Sequence, residues 1–152
     1  MTHFSFSDWM ALSTLVVTVV GILLIWSQTK KMAVQLTLQH FADYTKRYQE
    51  IILHFPEDVN TADLPPKDHD DYNNTMRHMR AYADLCYEEW HLNQRGLINK
   101  GTWAVWSRGI ETAFSKPAFQ QAWIIIRADT HYGTEFVTFI EQCMNSKSAR
   151  TK

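Results

Sequence analysis

The chain has 152 residues, 20% of them charged, a formal net charge of −1 and two cysteines. No basic surplus marks it as a nucleic-acid binder. Cys86 and Cys143 suit a reducing compartment better than a disulfide framework.

The leader MTHFSFSD, residues 1–8, holds no Lys or Arg. Eighteen uncharged residues follow, from Trp9 to Trp26, with Ser13, Thr14 and Thr18 as the only hydroxyls. At 1.5 Å per residue they cover roughly 27 Å, close to the hydrocarbon thickness of a bilayer. A soluble core helix seldom runs so far without a charge on its wet face. An export signal needs a positive start and a small-residue cleavage site, and neither is present. Trp9 and Trp26 stand where indoles favour the headgroup level, and Lys30 and Lys31 follow. Together these four residues read as the anchoring set of a transmembrane helix over 9–26, with membrane lipid as its first partner.

All fifteen Lys and Arg lie beyond that span, so the positive-inside rule expects the leader outside and the rest in the cytoplasm. The expected location is the cytoplasmic, or inner, membrane of a bacterium. Of the sixteen acids only Asp8 precedes the span, which leaves the downstream domain with no net charge when His is neutral. Within the span, Thr14, Thr18 and Gly21 share one helix face. Small and hydroxyl residues allow close helix approach in lipid, although the hydroxyls can instead bond their own backbone.

Between Gly21 and Pro56 there is neither glycine nor proline. The span is therefore expected to continue into an extension helix over 27–55. Val34, Leu38, Phe41, Thr45, Tyr48, Ile52 and Phe55 recur every three or four residues, which gives that helix a sticky face. Such a face packs on its own domain, pairs with a neighbour, or does both. The helix should end at His54 or Phe55, because Pro56 bars its predecessor from the α region.

An acidic loop over 56–70 comes next; from Pro56 to Asp71 the chain holds six carboxylates against Lys67 alone. A helical bundle over 71–145 follows. Its first helix runs from about Asp71 to Arg95 with Tyr72, Met76, Met79, Ala83, Cys86 and Trp90 as the apolar stripe, and Gly96 suits a left-handed cap. The next turns Trp103, Trp106, Ile110 and Ala113 inward. Ser115 is expected to cap a further helix with Pro117 in its first turn. Phe119, Ala122, Trp123 and Ile126 line it, and a last short helix carries Phe136, Phe139, Ile140 and Cys143. The basic tail 146–152 reads as disordered. The fold class is all-α: an N-terminal transmembrane helix, a long extension and a bundle of about four helices.

This layout, with FADYTKRYQEI, then YEEWHLNQRGLINKGTWAVWSRGI and FSKPAFQQAW, resembles a group of bacterial single-span membrane proteins. Their cytoplasmic all-helical domain has no assigned function. The likeness covers residues 9 to about 140 and rests on hydrophobic landmarks, so it implies the anchor and the helical domain and no activity.

Candidate chemistry is sparse. Glu88 and His91 form an E-x-x-H pair, one half of a carboxylate-bridged di-metal site, without the second copy that such a site needs. Asp68, Asp70 and Asp71 with His69 lack the glycine and spacing of a calcium loop. Cys86 and Cys143 lie on apolar stripes, where a thiol is usually inert. Trp103 and Trp106, with Arg108 beside them, offer either an aromatic cage or plain core packing. No cofactor is implied. The reading that emerges is a membrane-anchored interaction or scaffold module, a homo-oligomer or an accessory subunit of a membrane complex. Its sticky helix would supply affinity, and Tyr44, Arg47 and the acidic loop specificity. The alternatives are a small metal-dependent enzyme using Glu88 and His91, and a sensor with an aromatic pocket.

Overall fold

The computed structural model describes residues 5–145, except for the side chains of Asp8, Ala33, Val34 and Thr37. The expectations for residues 1–4, for the Val34 contact and for the tail 146–152 lie outside what is described. The described residues are all-helical. In order they form α1 (Phe6–Ile52), α2 (Tyr72–Gln94), α3 (Lys100–Phe114), α4 (Pro117–Asp129) and α5 (Thr134–Asn145). WIIIR, despite its β-branched residues, lies within α4.

The chain divides into two compact units between Ala42 and Asp43. In the first, the stretch Trp9–Met32 is long and apolar enough to cross a membrane, and none of it is buried within the protein. Its 24 residues reach six beyond Trp26. The hydroxyls of this stretch turn back on their own helix. Thr14 Oγ1 donates to Met10 O at 2.9 Å and Thr18 Oγ1 to Thr14 O at 2.8 Å, so neither proton needs a partner from another chain. Gly21 shares that face, and a Cβ there would meet nothing within 4 Å. At the far end Lys30 Nζ stands 3.7 Å from the centre of the Trp26 ring, a cation–π contact between two of the expected anchoring residues.

The second unit begins with the last turns of α1. The helix closes at Ile52, two to three residues before the expected end. His54 N–H bonds Ile51 O at 3.2 Å and Phe55 N–H bonds Ile52 O at 3.0 Å, so the final turn tightens before Pro56 is reached. α2 packs on α3 and α4, and α3 also packs on α4 and α5. Gly96 takes the left-handed conformation, φ 66°, and its N–H bonds Asn93 O at 2.9 Å, which ends α2 as its sequence anticipates. Asn99 Oδ1 accepts the Thr102 N–H at 2.9 Å and starts α3. One cap differs from expectation. Ser115 closes α3, its hydroxyl donating to Thr112 O, while Lys116 is the residue before α4, whose first turn holds Pro117. A serine one residue too early already has its hydroxyl engaged by the preceding helix.

The core is aromatic. Phe136 is fully buried, with ring centres of Tyr87, Trp90, Trp123 and Tyr132 at 5.1, 5.6, 5.9 and 5.5 Å. Rings at such separations and tilts gain attraction beyond the area they bury. Phe114, absent from the expected stripe, is buried between Tyr82, Phe119 and Trp123. Trp103, Trp106 and Ala113 are only half-buried. The acidic loop is held down by two apolar members and one carboxylate. Val59 and Leu64 pack on the core, Leu64 N–H bonds Gln121 Oε1 at 2.9 Å, and Gln121 Nε2 bonds Asp63 Oδ1 at 2.7 Å.

Candidate functional site

Two features stand out in the second unit: a polar clasp where α1 meets α2 and α3, and an apolar groove beside it. The clasp follows from helical spacing. Tyr44, Arg47, Tyr48 and Ile51 recur three or four residues apart on the last turns of α1 and so face one way. Arg47 makes a forked pair with Glu88 of α2, Nη1 to Oε2 at 2.7 Å and Nη2 to Oε1 at 3.2 Å. Tyr44 OH donates to the same Oε2 at 3.4 Å, and the Tyr44 ring lies 5.0 Å from that of Trp106. Tyr48 approaches Tyr82 at 6.1 Å. The hydrogen bonds from Arg47 hold the Glu88 carboxyl below the usual range, and burial first of all raises the Tyr44 phenol.

The next residue, Glu89, has the opposite fate. It is 7% exposed, and burial pushes its carboxyl up to about 7, with Arg47 opposing and Glu88 adding to the rise. An acid that titrates near neutrality inside a helical junction is a proton-binding group, and perturbed acids mark functional sites more often than chance. It has no activated nucleophile for company. Burial raises the Cys86 thiol well above its ordinary value and pushes Cys143 up to about 11, so both stay protonated. Both cysteines are free and buried. Glu89 was absent from the expected stripe of α2, yet its position carries the signal: Cys86, Glu89 and Trp90 fall at i, i+3 and i+4.

The remaining candidates are dispersed. Glu88 is engaged by Arg47, and His91 is exposed with its ring 6.1 Å from that of Tyr87. Among the described residues no three His, Cys, Asp or Glu side chains gather as a metal site requires. In the acidic loop His69 Nδ1 accepts the Asp71 N–H at 3.2 Å, a local turn bond. Trp103 and Trp106 meet different partners, Phe139 at 5.8 Å and Tyr44 at 5.0 Å, so they do not close a cage on each other. Tyr44 and Arg47, expected to meet a partner, turn inward to Glu88 and Trp106. The sticky face of α1 divides as well. Tyr48 and Phe55 serve the bundle, Phe55 with its ring 5.4 Å from Phe119, whereas Leu38 and Ile52 are exposed and Ile51, outside the expected face, packs on the core instead. Phe41 is 40% exposed.

The groove, of about 580 Å3, lies between the end of α1, the loop after it and α3, with Tyr82 and Phe119 among its lining residues. Periodicity did not reveal it, because its walls come from α1, the loop after it, α2, α3 and α4. No family model matches the chain, and neither a curated protein nor a solved structure does.

Proposed function

We propose that the chain is a membrane-anchored interaction module, a homo-oligomer or an accessory subunit of a membrane complex, with the bundle at the cytoplasmic face of a bacterial inner membrane. The N-terminus lies outside, because all fifteen Lys and Arg follow the apolar stretch. Its relatives would be the single-span proteins that the landmark residues resemble.

One observation carries the reading. Leu38, of the expected sticky face, is 64% exposed on α1, beyond the apolar stretch that ends at Met32 and before the turns that pack on the bundle. Large aliphatic side chains at helical positions outside lipid, unused by the domain's own core, are what a partner helix covers. Thr14, Thr18 and Gly21 leave room for close approach within the membrane. The hydroxyl protons are already bonded to their own backbone, so packing of small residues, not interhelical hydrogen bonding, would hold the pair.

The test is the mass of the full chain extracted in mild detergent, paired with crosslinking from residue 38 in native membranes. A dimer or a reproducible heteromer that is lost in Leu38→Glu supports the reading. A monomer with no crosslinked or co-purifying protein overturns it.

A further inference from the structure

We propose that the groove between α1, the following loop and α3 binds a small amphipathic carboxylate, its apolar body along the groove and its carboxylate on Arg108. The proposal concerns a ligand and does not depend on the interaction reading above.

Four observations converge. First, the hollow is about 580 Å3, within the range of about 300–1,000 Å3 usual for small-molecule sites. Second, the walls are apolar and wet. Leu53, just after α1, and Val105 of α3 are 80% and 63% exposed, and Ile52, the last residue of α1, joins the same lining. Third, the lining holds one cation, Arg108. Arg47, Arg80 and Arg127 each pair with a carboxylate, Glu88, Asp129 and Glu141, whereas Arg108 makes no ion pair among the described residues. A guanidinium beside an apolar wall offers forked donors to a carboxylate, and the carboxylate gains more there than in open water. Glu57, the one acid of the lining, belongs to the loop, so an anionic head is favoured toward α3.

The fourth observation is Gly109. It lies inside α3 with an ordinary helical backbone, where glycine costs about 0.5–1 kcal/mol relative to alanine. A Cβ at this position would meet no heavy atom within 4 Å. The chain's own packing does not require a glycine here, and its missing side chain keeps the groove open beside Arg108.

The experiment uses the full chain in lipid nanodiscs, with empty discs as blanks. Three probes share one body and differ in the head: 4-phenylbutyrate, 4-phenylbutanamide and 4-phenylbutylamine. Calorimetric titration should rank the carboxylate about tenfold tighter than the amide, with the amine weakest. Arg108→Gln should weaken the carboxylate about tenfold and leave the amide unchanged. Gly109→Leu should abolish binding of all three. Gly109→Ala, which adds one methyl and suits a helix, should weaken binding while keeping the circular dichroism of the parent, so loss of ligand is separable from loss of fold. Equal affinity for the three heads, preference for the amine, no binding of any probe, or indifference to Arg108→Gln would each overturn the proposal. So would photocrosslinking from position 105 to a second protein chain that seats in the groove.

Discussion

Trp26 is 60% exposed and Trp123 is 1% exposed, although both sit on helices among apolar neighbours. The same contrast separates residues 5–42 from residues 43–145. In the first region Leu15, Val17, Ile22, Leu23 and Ile25 all face outward, while in the second Met79, Leu85, Ile110, Ile126 and Ile140 are enclosed. Large apolar residues are plentiful in both regions; what separates them is where the charges fall, because Trp9 to Trp26 carries none on any face, while the helices of the second region keep charges beside an apolar stripe. A helix apolar on every face can be satisfied only by an apolar solvent, whereas one with a stripe can be satisfied by other stripes. Polar groups follow the same division. In the first region Thr14 and Thr18 bond their own backbone, and in the second arginines reach across helices, as Arg47 does to Glu88 and Arg80 to Asp129 at 2.7 Å.

The sharpest way to separate the regions is to damage each without touching the other. Phe136→Ala removes a fully buried ring from the aromatic cluster and should cost about 3–5 kcal/mol of bundle stability, read by denaturant titration, without altering membrane extraction. Val20→Arg places a charge near the middle of the apolar stretch and should cost about 3 kcal/mol in insertion. It should move protein from the membrane fraction to aggregates or proteolysis while leaving the bundle core intact. If the bundle of that variant lost its cooperative unfolding, the independence of the two regions would be refuted.

Finer probes act within the clasp. Glu89 holds its proton up to about pH 7 when folded, against an ordinary value of 4.5. Between those values the folded state binds the proton and the unfolded chain has released it, so stability falls as pH rises through that window. The fall is complete above the folded value and amounts to on the order of 3 kcal/mol. Glu89→Gln should flatten this slope and make the variant the more stable form at pH 8, as thermal unfolding across pH 4.5 to 8 would show. A parent protein whose stability is level across that range would contradict the burial of the group. The smallest effect is expected from Arg47→Met. Its pair with Glu88 is about half exposed on both sides, so the direct cost should be no more than about 1 kcal/mol. The same change removes the one nearby charge that opposes protonation of Glu89, and should shift the pH-dependent window upward.

Much of the architecture was legible in the chain itself. The uncharged run, the stripes of the bundle helices, Pro117 in the first turn of α4 and Gly96 after α2 act over a few residues, and sequence displays such signals directly. The misread cap shows the limit of that reach. Ser115 has the right chemistry for an N-cap, but the preceding helix already uses its hydroxyl on Thr112 O.

What the tertiary structure alone decided lies at longer range. Arg47 and Glu88 are 41 residues apart, and that pairing turned two expected contact residues inward and left the E-x-x-H pair without its carboxylate. Glu89 became a buried acid only once its helix was packed in the bundle, and the groove exists because α1, the loop after it and three further helices each contribute to one lining. Helical period is set by backbone geometry and is carried by every short stretch. Desolvation and charge pairing depend on which distant surfaces meet, and that is settled only when the chain has folded.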